Sequence, residues 1–477
     1  MTQTTSTIPI SSIVLDEDIY PRENVDHRRV GMFAENIRDG FKFDPIEVQA
    51  VLARPGFYRL LDGTHRWSAY KSTGIEEVEV VIKDLDGKDP LLYAATKAIG
   101  PKQLTEDETK ETARRAYIRN PSLSSAKIGK AIGRSRQTVD VYISDLRAAT
   151  QMDKDIKIFR MNLLGIPQGR IAKRLGLDQK TIHNHLGKMP VLAKFLNGDV
   201  SMGFTVESVA QKHGWTDPMV WSQALKDKDD RERFKALGWG LRTWNDCDKR
   251  FGDDWPGRIP AQLIGHILFY FSNQNDLVLD PMAGGGVTPD TCLAMNRRCW
   301  AFDLTDRLDT RPEIEPHTWA FTSDQDMSWP VNSKEKSDLV IFDPPYFDKK
   351  AGDYDKKSIS SLTRKEYLEF FEAFFLLLKQ NVKKTTRLAF INADWRDFQN
   401  RTTMEETAGG GIFMDNYLHI LNGTGWYHTH VMYAPMSSQR FSAGVVSAMQ
   451  KKKILGVTGR YVIVLNQQKD SDPLLTD

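Results

Sequence analysis

Two short segments carry residue types that could do chemistry. The first is Asp343-Pro344-Pro345-Tyr346, directly after the apolar run Leu339-Val340-Ile341-Phe342. A strand there would deliver polar side chains to its carboxyl end, and two prolines fix the backbone just beyond it. An exocyclic amine of a nucleobase is a poor nucleophile, because its lone pair is delocalised into the ring. A carboxylate and a rigid backbone carbonyl can accept its two N–H bonds, localising the lone pair and aiming it at an electrophilic methyl carbon. Asp343 and the Pro344 carbonyl suit those tasks, Pro345 stiffens them, and Tyr346 can stack on a base flipped from a duplex. The bland alternative is a proline-rich turn after a buried strand.

The second segment is Asp280-Pro281-Met282-Ala283-Gly284-Gly285-Gly286-Val287-Thr288, which follows Leu277-Val278-Leu279. Glycine supplies turn dihedrals and lets the backbone approach a ligand closely. No Lys-Ser/Thr ending follows, which argues against a nucleotide P-loop. About twenty residues on, Cys299-Trp300-Ala301-Phe302 ends in Asp303. An acid at such a strand end can accept hydrogen bonds from ribose hydroxyls. Asp280, Pro281, Met282, Ala283, Gly284, Gly286 and Asp303 therefore read as a site for an adenosine-containing cofactor. A tight strand-to-helix turn with a capping Asp is the plain alternative.

The elements that must position these residues lie in 258–470. Strands are expected at Leu277–Leu279, Cys299–Phe302, Leu339–Phe342 and Leu388–Ile391, with a helix over Pro289–Asn296. His428–Tyr433 and Tyr461–Leu465 read as late antiparallel strands. Alternation of this kind predicts a Rossmann-like, doubly wound α/β sheet. Phe370-Phe371 and Phe374-Phe375 sit at helical spacing and read as core. The Lys-rich stretch with Lys349, Lys350, Lys356 and Lys357 reads either as a phosphate-contacting loop or as a plain surface loop.

The N-terminal half has a different pattern. Residues 8–84 alternate strand and helix signals and predict a compact α+β unit. Residues 101–190 hold 18 Lys/Arg against 9 Asp/Glu, leaving 47 against 54 elsewhere, so the overall charge of +2 hides a basic middle. Such a stretch suits a polyanion or, more plainly, a solvated helical surface. Inside it a pattern repeats: Ile128-Gly129-Lys130-Ala131-Ile132-Gly133 matches Ile171-Ala172-Lys173-Arg174-Leu175-Gly176, and Thr138-Val139 matches Thr181-Ile182. Each copy reads as helix, turn and second helix, with Ser135 or Asp178 as N-cap. This all-α middle is the helix-turn-helix pattern. Lys130, Arg136, Gln137 and Asp140 are the exposed DNA-facing positions expected of the first copy. Lys173, Gln179, Lys180, His183 and Asn184 are those of the second. Packing hairpins are the alternative. Residues 191–257 read as a charged connector.

Three cysteines form no framework, and no run of about 18 apolar residues or secretory signal is evident. The expected setting is reducing and cytoplasmic, with no membrane partner.

Residues 258–470 resemble the DNA N6-adenine and N4-cytosine methyltransferases. The resemblance implies that Asp280–Gly286 contacts S-adenosylmethionine, Asp303 its ribose and Asp324 its adenine. It also implies that Arg258–Leu263 flanks the cofactor and that no metal is needed. Asp before the Pro-Pro pair favours adenine over cytosine. Two departures stand out: Met-Ala-Gly-Gly-Gly replaces the common Phe-Ala-Gly-Ser-Gly, and no large insert separates the two motifs. Base recognition must then lie after Tyr346 or in the N-terminal half.

Residues 8–84, with Ile8-Pro9-Ile10, Pro45–Val48 and the Gly63-Thr64-His65-Arg66 box, resemble the ParB/sulfiredoxin-like domain. A Gly turn opening a helix could cradle phosphate. ParB relatives read Gly-Glu-Arg-Arg there, so Glu is absent, which argues against nucleotide hydrolysis; Thr64 stands where sulfiredoxins carry Cys. A scaffold role is preferred.

The organisation expected is a ParB-like domain at 1–90, tandem helix-turn-helix units at 100–190, a connector at 191–257 and a methyltransferase domain at 258–470. The activity implied is S-adenosylmethionine-dependent methylation of double-stranded DNA. A ParB-like DNA-binding protein with an inactive methyltransferase domain and an RNA methyltransferase are the alternatives. Homodimerisation and pairing with a restriction nuclease are left open.

Overall fold

A computed structural model describes residues 5–98, 104–239, 244, 246–319, 327–331, 333–347, 357–396, 411–436, 442–453 and 455–468. The chain divides into two compact units, Met1–Asp153 and Lys154–Asp477. The division falls inside the basic middle, so the two copies of the repeat belong to different units.

The first unit holds a five-stranded mixed sheet: β1 (Thr5–Pro9), β2 (Ile13–Val14), β3 (Ile46–Ala50), β4 (Tyr58–Asp62) and β5 (Glu77–Ile82), in the order β1-β5-β3-β4-β2. Its core is aliphatic, built on Ile8, Ile46, Val48, Leu60, Val78 and Val80. The pair β1 and β2 did not stand out in the sequence. Both are short, and β2 is only two residues long. The first copy of the repeat follows as two helices, Ser125–Ile132 and Arg136–Tyr142, packed through Ile128, Ile132, Val139 and Tyr142. Ser124 and Ser135 cap them, accepting from Lys127 N and Thr138 N.

The second unit is a seven-stranded sheet: β6 (Leu277–Asp280), β7 (Arg298–Asp303), β8 (Ile314–Pro316), β9 (Leu339–Phe342), β10 (Arg387–Asn392), β11 (Tyr427–Pro435) and β12 (Gly459–Asn466). The order is β11-β12-β10-β9-β6-β7-β8. Strands β6 to β10 pair in parallel, while β12 runs antiparallel to β10 and β11 antiparallel to β12. Strand β6 pairs with β7 on one side and β9 on the other, so the order reverses between β6 and β9. That reversal is the switch point where open α/β sheets bind ligands.

Both sheet faces are covered, which is why the parallel strands read as unbroken apolar runs. Successive residues feed opposite cores. Val278, Cys299, Ala301, Leu339 and Ile341 join one; Leu279, Trp300, Phe302, Val340 and Phe342 join the other. The second core is aromatic, with Phe370, Phe371, Phe374 and Phe375 of helix Arg364–Asn381 fully buried. The first core takes in Ile158, Ile171, Ile182, Leu196, Val209 and Met219. Residues 154–257 therefore share the second unit's core. The stretch read as a connector is mostly helical, with helices Met189–Ser201, Val206–His213, Asp217–Ala224 and Asp230–Ala236. Among the described residues, no helix is long and apolar enough to cross a membrane.

Candidate active site

The carboxyl ends of β6, β7 and β9 open on one cavity of about 550 Å³. Its lining includes Asp280, Met282, Ala283, Gly284 and Gly285 from the glycine-rich turn, Asp303 from β7, and Asp343, Pro344, Pro345 and Tyr346 from β9. Strand β12 enters the same sheet edge from the opposite direction, and its second residue, Arg460, lines the cavity too.

The glycine turn is shaped by its own chain as much as by any ligand. Gly286 has φ +84°, and a Cβ there would lie 2.9 Å from Arg311 Nη1. At Gly285 a Cβ would lie 2.9 Å from Trp255 Cβ and 3.0 Å from the Asp253 carbonyl oxygen. The helix that follows runs Val287–Ala294, starting two residues earlier than the periodicity suggests. Asp303 holds the turn in place: its Oδ2 accepts from Gly284 N at 2.9 Å, and its Oδ1 accepts from Thr305 N at 3.0 Å. Burial raises its pKa, although those two amides oppose the rise. Trp319 Nε1 donates to the Pro281 carbonyl at 2.9 Å. Neither Pro281 nor Gly286 lines the cavity.

Asp280 is buried and accepts from Met282 N at 3.1 Å. Burial pushes its carboxyl up to about 7, opposed by the Thr288 hydroxyl and reinforced by Asp343 and Asp303. Burial likewise pushes Asp343 up to about 6, while Arg460 and the Tyr346 hydroxyl pull it down. Tyr346 Oη donates to Asp343 Oδ1 at 3.0 Å. Behind the motif, Tyr367 Oη donates to the Pro345 carbonyl at 3.0 Å and accepts from Asn392 Nδ2 at 3.3 Å. Arg460 is buried, and its Nε has no hydrogen-bond partner among the described residues.

A buried ion network braces the turn from outside the cavity. Asp290 is paired with Arg160 and lies 2.8 Å from Arg311 Nη1, and Gly252 N donates to it at 2.7 Å. Arg160 Nε also meets Glu313 at 2.6 Å, and Arg311 Nη2 meets Asp253 at 2.8 Å. Arg307 reaches the Gly284 carbonyl and lies 4.5 Å from the Trp255 ring centroid.

Asp324, expected at the cofactor adenine, lies outside the described residues, as do Lys349, Lys350 and Lys356. Lys357 lines the cavity. Arg258 and Ile259, read as a flanking element, line it as well. Arg460, Trp255 and Tyr367 carried no signal in the sequence, because each reaches the site through tertiary packing.

Of the DNA-facing positions, Lys130, Arg136, Gln137, Lys173, Gln179, Lys180, His183 and Asn184 are all exposed. Asp140 is not the exposed reader its spacing suggested. It is half-buried, accepting from Ser125 Oγ at 2.6 Å and pairing with Arg147 at 2.7 Å. In the first unit, Gly63, Thr64, His65 and Arg66 line a separate cavity of about 360 Å³ together with Arg22, Arg29 and Lys97. Arg66 is already engaged, on Asp62 at 2.9 Å and the Asp44 carbonyl at 2.6 Å.

Comparison with known proteins divides the chain in the same sense. Residues 1–98 match the ParB N-terminal domain, and residues 200–308 match a DNA methylase family. The second match starts inside the stretch read as a connector and ends before Asp343. Among curated proteins, a Rickettsia conorii protein described as "Probable chromosome-partitioning protein ParB" is 24% identical over 194 residues, 40% of this chain and 60% of that protein. One of the same description from Xylella fastidiosa (strain Temecula1) is 27% identical over 119 residues, 25% of this chain and 37% of that protein. The chain thus spans less than two thirds of these relatives' lengths. A solved Caulobacter crescentus ParB, truncated at its C-terminus and complexed with CTP-γ-S, is 21% identical. It covers 29% of this chain and 77% of its own, with a TM-score of 0.20, too slight an overlap to bear on function. The chain joins a ParB N-terminal domain to a DNA methylase domain.

Proposed function

We propose that the second unit transfers a methyl group from S-adenosylmethionine to the exocyclic amino group of a base in double-stranded DNA, adenine N6 ahead of cytosine N4. One observation carries this reading: the glycine-rich turn and the Asp343-Pro344-Pro345-Tyr346 motif line the same cavity at the sheet's switch point. The volume lies within the roughly 300–1,000 Å³ usual for small-molecule sites. The lining suits the cofactor: Gly284 and Gly285 form a wall without side chains that a ligand can approach closely, and Asp303 lines the cavity beside them. When bound there, S-adenosylmethionine supplies an electrophilic sulfonium methyl.

The chain's own residues prepare the nucleophile. Asp343, when ionised, accepts one N–H of the base amine, and the Pro344 carbonyl accepts the other. Proline rings and the Tyr367 bond to Pro345 keep that carbonyl from turning. Tyr346, tied to Asp343, offers its ring to the extruded base. Arg460 keeps positive charge close to Asp343, which favours the carboxylate in a buried place. After transfer the amino nitrogen is cationic, and its excess proton can pass to Asp343. Orientation within the cavity, rather than strong base catalysis, supplies much of the acceleration.

The exposed faces of the two helix-turn-helix copies are the parts suited to grip the duplex. The cavity of the first unit is read as scaffold, because Arg66 of its box is held by Asp62 and by backbone carbonyls. The test is to map modified bases in DNA from cells expressing the chain, beside cells expressing Asp343→Ala. N6-methyladenine present only with the wild-type chain supports the reading. Identical, unmodified DNA from both overturns it.

A further inference from the structure

The second helix-turn-helix, helices Gln168–Leu175 and Gln179–Leu186, is built into the catalytic unit. Ile171, Ala172 and Ile182 share a core with Val278, Ile264 and Ile314. Cys299 N, on β7, donates to the Leu164 carbonyl at 2.9 Å, so the chain entering this motif is bonded directly to the sheet.

Two arginines of its first helix point inward. Arg170 Nη2 meets Glu315 at 2.7 Å. Arg174 holds Asp306 at 2.6 Å, the Ile314 carbonyl at 3.1 Å and the Pro312 carbonyl at 3.2 Å. All four partners lie on the segment that leaves the cavity at Asp303. Near its start, that segment's Arg307 reaches back to the Gly284 carbonyl. A single stretch of chain is thus pinned by the glycine turn at one end and by the helix-turn-helix at the other.

The outer face is different in kind. Gln179, Lys180, His183 and Asn184 on the second helix and Lys173 on the first are exposed. Amide side chains pair with adenine edges and lysines with phosphate or guanine, which is the chemistry of a major-groove reader. Asp178, the acid beside them, caps the helix, accepting from Thr181 N at 2.8 Å and Thr181 Oγ1 at 2.6 Å.

We propose that this second helix-turn-helix is the sequence-reading element of the catalytic unit: its exposed face reads duplex DNA, and its anchorage to the segment leaving the cavity fixes which base is presented to Asp343. The proposal rests on the methyl-transfer reading of that cavity. The first helix-turn-helix, in the other unit, then adds affinity without choosing the methylated position.

The test uses the full chain and a pool of random-sequence duplexes. Bound duplexes are selected and sequenced without methyl donor. The same pool is then treated with S-adenosylmethionine and its modified positions are mapped. The wild-type chain should select a sequence with the modified base at a fixed offset from it. Gln179→Ala with Asn184→Ala should relax selection at specific bases, by roughly five- to hundredfold per lost contact, and scatter the modified positions. Arg136→Ala with Gln137→Ala should weaken binding while leaving the offset and the preferred bases unchanged. Wild-type selection and offset in the first double variant, or their loss in the second alone, overturns the assignment. Selection that depends on Gln179 and Asn184 but yields no modified base upholds the reader and instead refutes methyl transfer.

Discussion

Asp280 ends β6 and Asp343 directly follows β9, two adjacent parallel strands, and both line the same cavity at the point where the strand order reverses. The two acids meet different electrostatic company. Asp343 has Arg460 nearby and the Tyr346 hydroxyl bonded to it, whereas Asp280 is deeper and is pushed further up by Asp343 and Asp303. On the proposed reading, Asp343 is the carboxylate that meets the amine and Asp280 shapes the cofactor side.

Transfer should depend on ionised Asp343. With its carboxyl at about 6, kcat/KM for DNA should be flat at higher pH and fall about tenfold per unit once pH drops well below 6. A profile flat down to pH 5 would contradict this. Asp343→Asn should remove the limb and lower the rate by about a hundred- to a thousandfold.

Arg460→Met should shift that acid limb upward, because it removes the cation that favours the Asp343 carboxylate. The groups left facing Asp343 are Asp280, Tyr346, Tyr367 and Lys357. The loss should be greater at pH 7 than at pH 8.5, and Arg460→Lys should restore most of the profile. An equal loss at both pH values would mean that Arg460 serves packing alone.

Asp280 should trade stability for function. Its carboxyl sits at about 7 when folded, against an ordinary value of 3.8. Between those values the folded chain holds more protons than the unfolded one, so stability falls as pH rises across that window. Asp280→Asn removes the penalty. It should raise Tm at pH 8, give no gain near pH 4, and weaken binding of S-adenosylmethionine. Equal Tm shifts at the two pH values would contradict this.

The Arg160–Asp290–Arg311 network should have the opposite sign. Asp290 is held down to about 2, against burial, by Arg160 and Arg311. Its contribution is present above 3.8 and is lost as pH falls toward 2. Arg311→Met leaves buried carboxylates short of a partner and should cost about 3–5 kcal/mol, read by urea unfolding at pH 7. A cost below about 1 kcal/mol, the range of exposed pairs, would show that water reaches the network.

The chemistry-bearing strand ends were legible because local pattern decides them. An apolar run such as Leu339–Phe342 ends in its polar motif within one strand, and Asp303 follows Phe302 directly. The paired short helices of the repeat were legible for the same reason, down to the Ser135 and Asp178 caps. What converges from afar was not. Arg460 arrives on an antiparallel strand more than a hundred residues after Asp343, and Trp255 belongs to a stretch with no periodicity. Charge misled in part: Arg114, Arg134, Arg147, Arg160, Arg170 and Arg174 face acids of their own chain rather than a polyanion. The pairs of Arg160, Arg170 and Arg174 tie the second copy of the repeat into the second unit, which its spacing could not reveal.

The most direct measurement is transfer of labelled methyl from S-adenosylmethionine to duplex DNA by the wild-type chain and by Asp343→Ala, with cofactor binding to each measured by calorimetry. The account predicts label in DNA from the wild type only, and cofactor binding by both. Equal labelling by the two proteins, or cofactor binding unaffected by Asp303→Ala, would contradict it.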